Sequence, residues 1–216
     1  CDLTGSFADA IEKMGGLLNI RGKVLPVTLD RVVLGAKMVD GTVAYGQSLI
    51  PLRGGRIKEV FLDPPNCDPT EGVIAAIDDA DIIVIGPGSL YTSIIPGLLV
   101  KGVTEAVRQS GALRLYICNI VTQPGETDGY TASDHVRGLH VHTGKIADFV
   151  LVNTAAVDKT LDNRLGEEIL PVIPDLAEVV ELGAKPAGFD FVDQNKFSCH
   201  HPNKLAKAIF DLYSAK

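Results

Sequence analysis

The stretch DIIVIGPGSLYTSIIPGLL, residues 81–99, runs from an apolar segment through a Gly-Pro-Gly turn and several hydroxyl side chains into a second apolar segment. Continuous β-branched residues predict a buried strand, so we expect a strand over residues 81–85 and a loop over residues 86–91. Thr92 or Ser93 would then cap the following helix. Pro96 lies in the first turn of that helix or breaks it, and the sequence leaves both open.

The chain after this stretch repeats the same order of elements. Apolar strands are expected at residues 113–118 and 148–153, and helices at residues 71–80, 103–110 and 132–143. Such alternation predicts an α/β fold with a mostly parallel sheet and flanking helices. The tail has apolar residues at helical spacing, which predicts a final amphipathic helix.

A different pattern precedes these units. Residues 24–62 consist of short β-rich runs, and Asp40-Gly41 is a strong hairpin signal, so we expect an antiparallel β-hairpin section there. The prolines of residues 63–69 indicate a linker to the α/β part.

The opening residues are expected to form a helix. Residues 4–20 have helical spacing behind a Ser6 to Asp9 pair that resembles a capping box. Because a helical pattern follows directly on Cys1, we expect an N-terminally incomplete chain, and a single domain over residues 1–216.

The composition limits the classes of partner. The 216 residues carry a formal net charge of -7 and a pI of about 5.2, which gives no broad attraction to nucleic acid or to anionic membranes. The four cysteines lie far apart without metal-ligand spacing, as expected of reduced thiols. No apolar run approaches the roughly 20 residues of a bilayer span, and no signal peptide is visible. A cytoplasmic location is therefore expected.

Loops that follow parallel strands collect at one edge of the sheet, where ligands bind. In the first such loop, glycines permit close backbone approach, a helix N-terminus favours negative charge, and hydroxyls would donate to phosphate oxygens. An ordinary turn into a capped helix is the alternative interpretation. The candidate ligand-binding residues are Gly86, Gly88, Ser89, Tyr91, Thr92 and Ser93.

The loop after the second strand, residues 118–136, is long and polar, which makes it a candidate recognition surface. Tyr130 offers a ring for stacking on a base or sugar and a hydroxyl to bond it. The candidate residues here are Asn119, Gln123, Gly125, Glu126, Thr127, Asp128 and Tyr130.

Other polar residues have structural interpretations. Thr131 and Asp134 predict a capping box rather than a catalytic acid. His135, His140 and His142 are interpreted as surface histidines, since no carboxylate accompanies them at metal-ligand spacing. We therefore assign no metal ligand and no catalytic residue.

Three short polar segments remain. The segment Asn153-Thr154-Ala155 is interpreted as a plain turn after the third strand, and residues 199–202 (Cys-His-His-Pro) as the entry into the last helix. The basic residues Arg53, Arg56 and Lys58 solvate a hairpin end or reach toward an anionic ligand, and solvation is favoured.

Five segments together resemble the YvcK-type gluconeogenesis factors of the CofD-like superfamily: LNIRGKVLPVTLD, GGRIKEVFL, IGPGSLYTSIIPGLL, YICNIVTQPGETDGYTASDHV and VLVNT. The resemblance extends from about Thr4 to the last helix. It implies a Rossmann-like α/β fold, binding of UDP-sugars, and a regulatory role in gluconeogenic growth and in cell-shape and cell-wall control. On this basis, residues 86–91 line a nucleotide-sugar site and residues 123–130 lie beside it.

The sequence departs from the family pattern at two places. Members begin with a strand, a glycine-rich loop and an Asp-Asp-Gly-Gly-Ser segment, which these residues do not contain. Before the last helix, Cys199 stands where members have an arginine, and a thiol does not replace a bidentate guanidinium.

The resemblance also implies an alternative, an enzyme similar to the 2-phospho-L-lactate transferases of coenzyme F420 biosynthesis, which use Mg²⁺ held by carboxylates. Whether the chain is an enzyme stays open at this point. A third interpretation is an interaction protein whose β section, residues 24–62, docks a partner. Assembly into a homo-oligomer is compatible with each interpretation.

Overall fold

The structure is a computed structural model that describes residues 22–157, 169–193 and 196–215. The helix expected over residues 4–20, with its Ser6 to Asp9 capping box, lies outside these ranges.

The first described part is an antiparallel sheet of β1 (Val33–Met38), β2 (Val43–Tyr45) and β3 (Ile57–Asp63), in the order β2-β1-β3. β1 and β2 form the predicted hairpin at Asp40-Gly41. The Asp40 carboxylate accepts hydrogen bonds from the backbone N–H and the hydroxyl of Thr42, at 2.9 and 2.6 Å. The β-hairpin section is therefore confirmed.

The main sheet has four parallel strands in the order β4-β5-β6-β7. The strands β4 (Ile82–Ile85), β5 (Leu113–Ile117) and β6 (Phe149–Asn153) lie where the apolar runs predict them. The sequence does not predict β7 (Lys185–Phe189), because proline and glycine disfavour a strand interior. They are tolerated here because β7 is an outermost strand of the sheet that the described residues form.

Short helices and one further hairpin complete the described residues. The predicted helices after residue 70 are confirmed, and the tail forms the expected helix behind a proline in its first turn. A two-stranded antiparallel pair precedes that last helix. These elements are α1 (Ile50–Arg53), α2 (Val73–Asp78), a π-helical turn (Leu90–Ile94), α3 (Ile95–Leu98), α4 (Val103–Gln109), α5 (Ala132–Thr143), α6 (Leu176–Glu181), β8 (Val192–Asp193), β9 (Lys196–His200) and α7 (Pro202–Ser214).

Both faces of the parallel sheet are covered. Alternate residues of β5 enter two different apolar clusters: Leu115 and Ile117 join the cluster against which α7 packs, and Tyr116 joins the cluster that includes β1 and β3. The strand period of two therefore explains why both faces of β5 carry apolar residues, with Arg114 as the charged exception. The fold is α/β and Rossmann-like, with a parallel sheet, flanking helices and an antiparallel section, as predicted.

Candidate functional site

The carboxyl ends of three neighbouring strands lie side by side. Because β5 lies between β4 and β6 and all three are parallel, the loops that follow them begin at the same edge of the sheet. This edge carries both loops in which the sequence predicts ligand-binding residues.

The loop after β4 is held by close backbone packing. Gly86 has a φ of +89°, and a Cβ placed on it would lie 3.1 Å from Ile94 Cδ1 and 3.3 Å from the carbonyl oxygen of Ile117. Only glycine fits this position without displacing its neighbours. The turn therefore approaches the end of β5 closely.

The helix after this loop begins earlier than the sequence predicts. The backbone N–H groups of Ser93 and Ile94 both donate to the carbonyl of Ser89, so Ser89 occupies the N-cap position instead of Thr92 or Ser93. This widened turn ends where Pro96, which has no N–H to donate, enters the first turn of α3. Pro96 thus starts a helix rather than breaking one.

Hydrogen bonds within the loop after β5 fix its shape. The Gln123 N–H donates to Thr127 Oγ1 at 2.9 Å, and the Thr127 N–H donates back to the Gln123 carbonyl at 2.9 Å. The Gly125 N–H donates to the Asp128 carboxylate at 2.7 Å. Gly125, at φ +73°, also lies directly against the backbone of Pro51 in α1. The long loop is therefore anchored on the antiparallel section.

Side chains join the two loops to each other. The Gln123 side-chain amide donates to Ser89 Oγ at 2.8 Å, and Thr92 Oγ1 donates to Glu126 Oε1 at 2.8 Å. The hydroxyls of Tyr91 and Tyr130 lie 2.9 Å apart. The predicted convergence of the two loops at one rim is thus present in the structure.

Several candidate residues hold the loops together rather than facing a ligand. Tyr91, Thr92, Thr127 and Tyr130 are all buried. The Tyr130 ring lies under the Arg56 guanidinium at 5.3 Å and against His135, so it is not free to stack on a base as expected. Burial occurs because these side chains fill the space between the loops and α5.

A cavity of about 720 Å³ opens at the edge that the two loops share. The lining comes from the turn at residues 87–88, the start of the long loop, β9 and the start of α7. The lining residues are Pro87, Gly88, Asn119, Ile120, Val121, Thr122, Gln123, Pro124, Glu126, Ile169, Ser198, Cys199, His200, Pro202 and Leu205.

The segment Ser198–Pro202 is the part of this cavity that residue patterns do not reveal. Its polar residues, interpreted from the sequence as helix entry, do lead into α7, yet Cys199 and His200 also line the cavity. These residues are about eighty positions from the loop at 118–126 in the sequence, and the two segments come together only in the folded protein. The single sequence signal is the resemblance, which marks position 199 as the place of a family arginine.

A second cavity of about 800 Å³ shares the lining residues Pro87 and Gly88 with the first and also includes Gly86. Its lining is mostly aliphatic, including Leu25, Ile83 and Leu98, and the candidate residue Ser93 faces it. The candidate residues Gly86 and Gly88 line this larger cavity together with Ser93, and neither Gly86 nor Ser93 lines the smaller one. Of these two cavities, the smaller one has the amide and carboxylate side chains that orient a polar ligand. A third cavity of about 400 Å³ is lined by Gly55, Arg56, Glu126, Asp128, Gly129 and Tyr130.

Glu126 brings a largely buried carboxyl group to the rim. Burial raises the pKa of its carboxyl, and the Thr92 hydroxyl and the nearby backbone N–H groups of Thr92 and Tyr91 oppose that rise. A carboxylate of the chain itself thus lies at the start of the Leu90–Ile94 turn, where the sequence places a ligand phosphate.

Histidine 200 and the buried thiol near it carry no charge at neutral pH. Burial lowers the pKa of His200, whose Nε2 lies 3.1 Å from the Cys118 carbonyl oxygen, the geometry of an Nε2–H donor. Burial raises the pKa of the Cys118 thiol. Cys67, Cys118 and Cys199 are free thiols, as expected.

Of the remaining sequence interpretations, the capping box is confirmed and the surface position of two histidines is wrong. Thr131 and Asp134 form the predicted capping box of α5. The interpretation of surface histidines is wrong for His135, which is 0% exposed, and for His142, whose Nε2 accepts the Val60 N–H at 2.8 Å and joins α5 to β3. Both rings lie inward because α5 packs against β3 and the tyrosine pair.

Asn153, in the turn after β6, uses its side chain in hydrogen bonds to the backbone of the protein. Its amide donates to the Ala155 carbonyl at 2.9 Å and its Oδ1 accepts the Phe191 N–H at 3.0 Å.

Among the described residues, no three His, Cys, Asp or Glu side chains group closely enough to hold a metal ion. None of the helices in the described ranges combines the length and apolar character that a membrane crossing needs.

The fold and cavity define a Rossmann-like α/β protein with a ligand-sized, mostly apolar cavity that carries a few amide, hydroxyl and carboxylate side chains at the carboxyl edge of its parallel sheet. Residues 1–192 match the family model described as 2-phospho-L-lactate transferase CofD. The chain belongs to this CofD family.

Two relatives that are closely similar to this chain are named gluconeogenesis factors. The chain is 44% identical to the gluconeogenesis factor of Halalkalibacterium halodurans over 212 residues, which cover 97% of this chain and 66% of that protein. It is 44% identical to the gluconeogenesis factor of Bacillus subtilis over 214 residues, covering 98% of this chain and 68% of that protein. A crystal structure of a UPF0052 family member from Bacillus halodurans matches with a TM-score of 0.91 at 44% identity, covering 97% of this chain and 68% of that chain. The chain thus spans about two thirds of the length of these relatives.

Proposed function

We propose that this chain is the nucleotide-sugar-binding part of a regulatory protein that supports growth on gluconeogenic carbon sources and acts in cell-shape and cell-wall control. The observation that carries the proposal is the cavity lined by the long loop and the β9–α7 segment, in which a few polar side chains, Asn119, Gln123 and Glu126 among them, interrupt a mostly apolar wall. The relatives' name, gluconeogenesis factor, supports the physiological role. Because the chain spans only about two thirds of those proteins, the role of a whole protein belongs to the proposal.

Binding is tested by thermal unfolding of the full-length protein with UDP-glucose and UDP-N-acetylglucosamine. A ligand that binds only the folded state stabilises it by about 2.7 kcal/mol at a hundred times its Kd, so a concentration-dependent rise in Tm is expected. The nucleotide sugar should be recovered unchanged. No shift at millimolar ligand would contradict the proposal.

Cys199 gives a sharper test of where the ligand binds. Cys199→Arg places a guanidinium on the cavity wall, and a charge-assisted hydrogen bond to phosphate should tighten UDP-sugar binding by about tenfold, or 1.4 kcal/mol. Asn203→Arg, at the second residue of α7 and absent from the cavity lining, is the control for added charge. Equal effects of both variants would place the ligand elsewhere.

The second candidate function is a 2-phospho-L-lactate transferase, which the description of the matching family favours. The described residues place one carboxylate, Glu126, on the cavity wall and group no set of metal-binding side chains, so we assign no Mg²⁺-dependent step to them. This function predicts Mg²⁺-dependent formation of a phospholactyl product from the deazaflavin acceptor. Absence of that product from an assay of the full-length protein would discard it.

A further inference from the structure

The smaller cavity has mostly apolar walls, and several of its polar groups are already used within the protein. The Thr122 hydroxyl accepts the Leu170 N–H at 3.2 Å, and Glu126 Oε1 accepts the Thr92 hydroxyl at 2.8 Å. A ligand in this cavity therefore meets apolar surface and few free polar groups. The apolar surface comes from aliphatic side chains and prolines, among them Ile120, Val121, Pro124, Ile169, Pro202 and Leu205.

Asn119 keeps a polar edge free for a ligand. Its side chain is half-buried, so it is accessible, and it lines the cavity. Its Nδ2 donates to Gln123 Oε1 at 3.1 Å, and Gln123 Nε2 donates to Ser89 Oγ at 2.8 Å, so the amide is held in place. A primary amide has two N–H donors and a carbonyl acceptor. One donor and the carbonyl oxygen of Asn119 are therefore left without a bond to a described group.

This combination suits a nucleobase better than a sugar. A donor beside an acceptor is complementary to the O4 and N3–H of uracil. A base needs hydrogen bonds only along its edge, and its two faces can pack on aliphatic walls. The hydroxyls of a hexose surround its ring, and most of them would be buried here without a partner, which is costly.

We propose that the smaller cavity binds the uracil base of the nucleotide sugar, with the Asn119 amide hydrogen-bonded to the O4 and N3–H edge of the base. This inference rests on the proposed function and adds which part of the ligand the cavity recognises. The diphosphate extends toward Cys199, an exposed residue of the lining, where water can solvate the phosphates and where Cys199→Arg would add a contact to them.

Calorimetric titration of the wild-type, full-length protein tests recognition of the base. N-acetylglucosamine 1-phosphate lacks the uridine and should bind at least about a hundredfold more weakly than UDP-N-acetylglucosamine, whereas UDP should stay within about tenfold of it. UDP methylated at N3 of the base has lost the N3–H donor and should bind about tenfold more weakly than UDP.

Asn119→Asp tests the named contact. A carboxylate has acceptors only, so it repels O4 of uracil but accepts the N4 amino group of cytosine. The loops stay joined, because the Ser89 hydroxyl can donate to Gln123 Oε1 and reverse the direction of the side-chain bonds. UDP binding should weaken about tenfold, and the affinity for CDP relative to UDP should rise about tenfold. Asn203→Asp, the same change at an exposed residue absent from the lining, should alter neither.

The contrary results overturn the inference. Equal affinities for N-acetylglucosamine 1-phosphate and UDP-N-acetylglucosamine would show that the base makes no contact, and unweakened binding of the N3-methylated UDP would show that its edge is not recognised. Both comparisons use the wild type, so they decide the matter even if Asn119→Asp does not fold. Equal weakening of UDP and CDP by Asn119→Asp would show that Asn119 does not read the base. These results leave nucleotide-sugar binding in place, whereas absence of binding by every ligand would end the proposed function itself.

Discussion

The two loops that meet at the candidate site are held in different ways. The short loop after β4 depends on Gly86, whose backbone conformation and close approach to β5 admit no side chain. The long loop after β5 depends on hydrogen bonds among its own side chains and on the contact of Gly125 with α1. A short connection is thus positioned by backbone sterics, and a long one needs side chains and a second part of the molecule as support.

Gly125→Ala is expected to have the largest effect, because it separates the long loop from α1. An added Cβ would overlap the Pro51 carbonyl while the residue keeps a φ of +73°. We expect the free energy of unfolding in urea to fall by about 3 kcal/mol or more. The matched control is Gly129→Ala, at φ +69° with no atom within 4 Å of the added Cβ, which should cost about 1 kcal/mol. Equal losses would show that the α1 contact does not anchor this loop.

Gly86→Ala tests the short loop. The added Cβ would lie 3.1 Å from Ile94 Cδ1 at a φ of +89°, so we expect a loss of about 2 kcal/mol in urea unfolding. Gly88→Ala is the control within the same turn, because its nearest contacts are 3.6 Å away, and it should change stability by less than about 0.5 kcal/mol. If Gly88→Ala lowers the free energy of unfolding as much as Gly86→Ala does, the short loop does not depend on the close contacts of Gly86.

Gln123→Ala removes the side chain that connects the two loops. It breaks the hydrogen bonds to Ser89 and Asn119, which are partly buried, so stability should fall by about 1 kcal/mol. Gln109→Ala, whose amide bonds to the exposed Glu105 within α4, should cost only about 0.3 kcal/mol. Similar values for both would indicate that the loops keep their positions independently.

The smallest effect concerns the pH dependence contributed by Glu126. Burial raises its pKa in the folded state above the model-compound value of 4.5, so the folded protein binds more protons and its stability falls as pH rises through the interval between the two values. Glu126→Gln lacks this titration. The free energy of unfolding of the variant minus that of the wild type should therefore increase with pH when measured from about pH 4 to about pH 8. A difference that does not change with pH would contradict a raised pKa.

Much of the fold follows from local pattern. The hairpin at Asp40-Gly41, the strands β4 to β6, the capping box of α5 and the amphipathic last helix all agree with the predictions, because each depends on residues within one element. β7 was missed because its tolerance for proline depends on its place at the sheet edge. The single-domain organisation, the cytoplasmic location and the identity of the ligand stay predictions.

The candidate site was predictable in part. The sequence indicates that the loops containing Ser89 and Gln123 meet, since parallel strands place their carboxyl ends together. It does not indicate that Tyr130 is covered by Arg56, which belongs to the antiparallel section. It likewise does not show that Cys199 and His200 line the cavity.

The sequence by itself determined the elements, their parallel arrangement and the edge of the sheet where polar loops gather, because hydrophobic period and turn chemistry act over a few neighbouring residues. Only the tertiary structure decided which polar residues of those loops face a cavity and which are used within the protein. Thr92 and Glu126 illustrate the reason: the same hydroxyl and carboxylate could bind a ligand or each other, and the choice depends on the packing of distant segments.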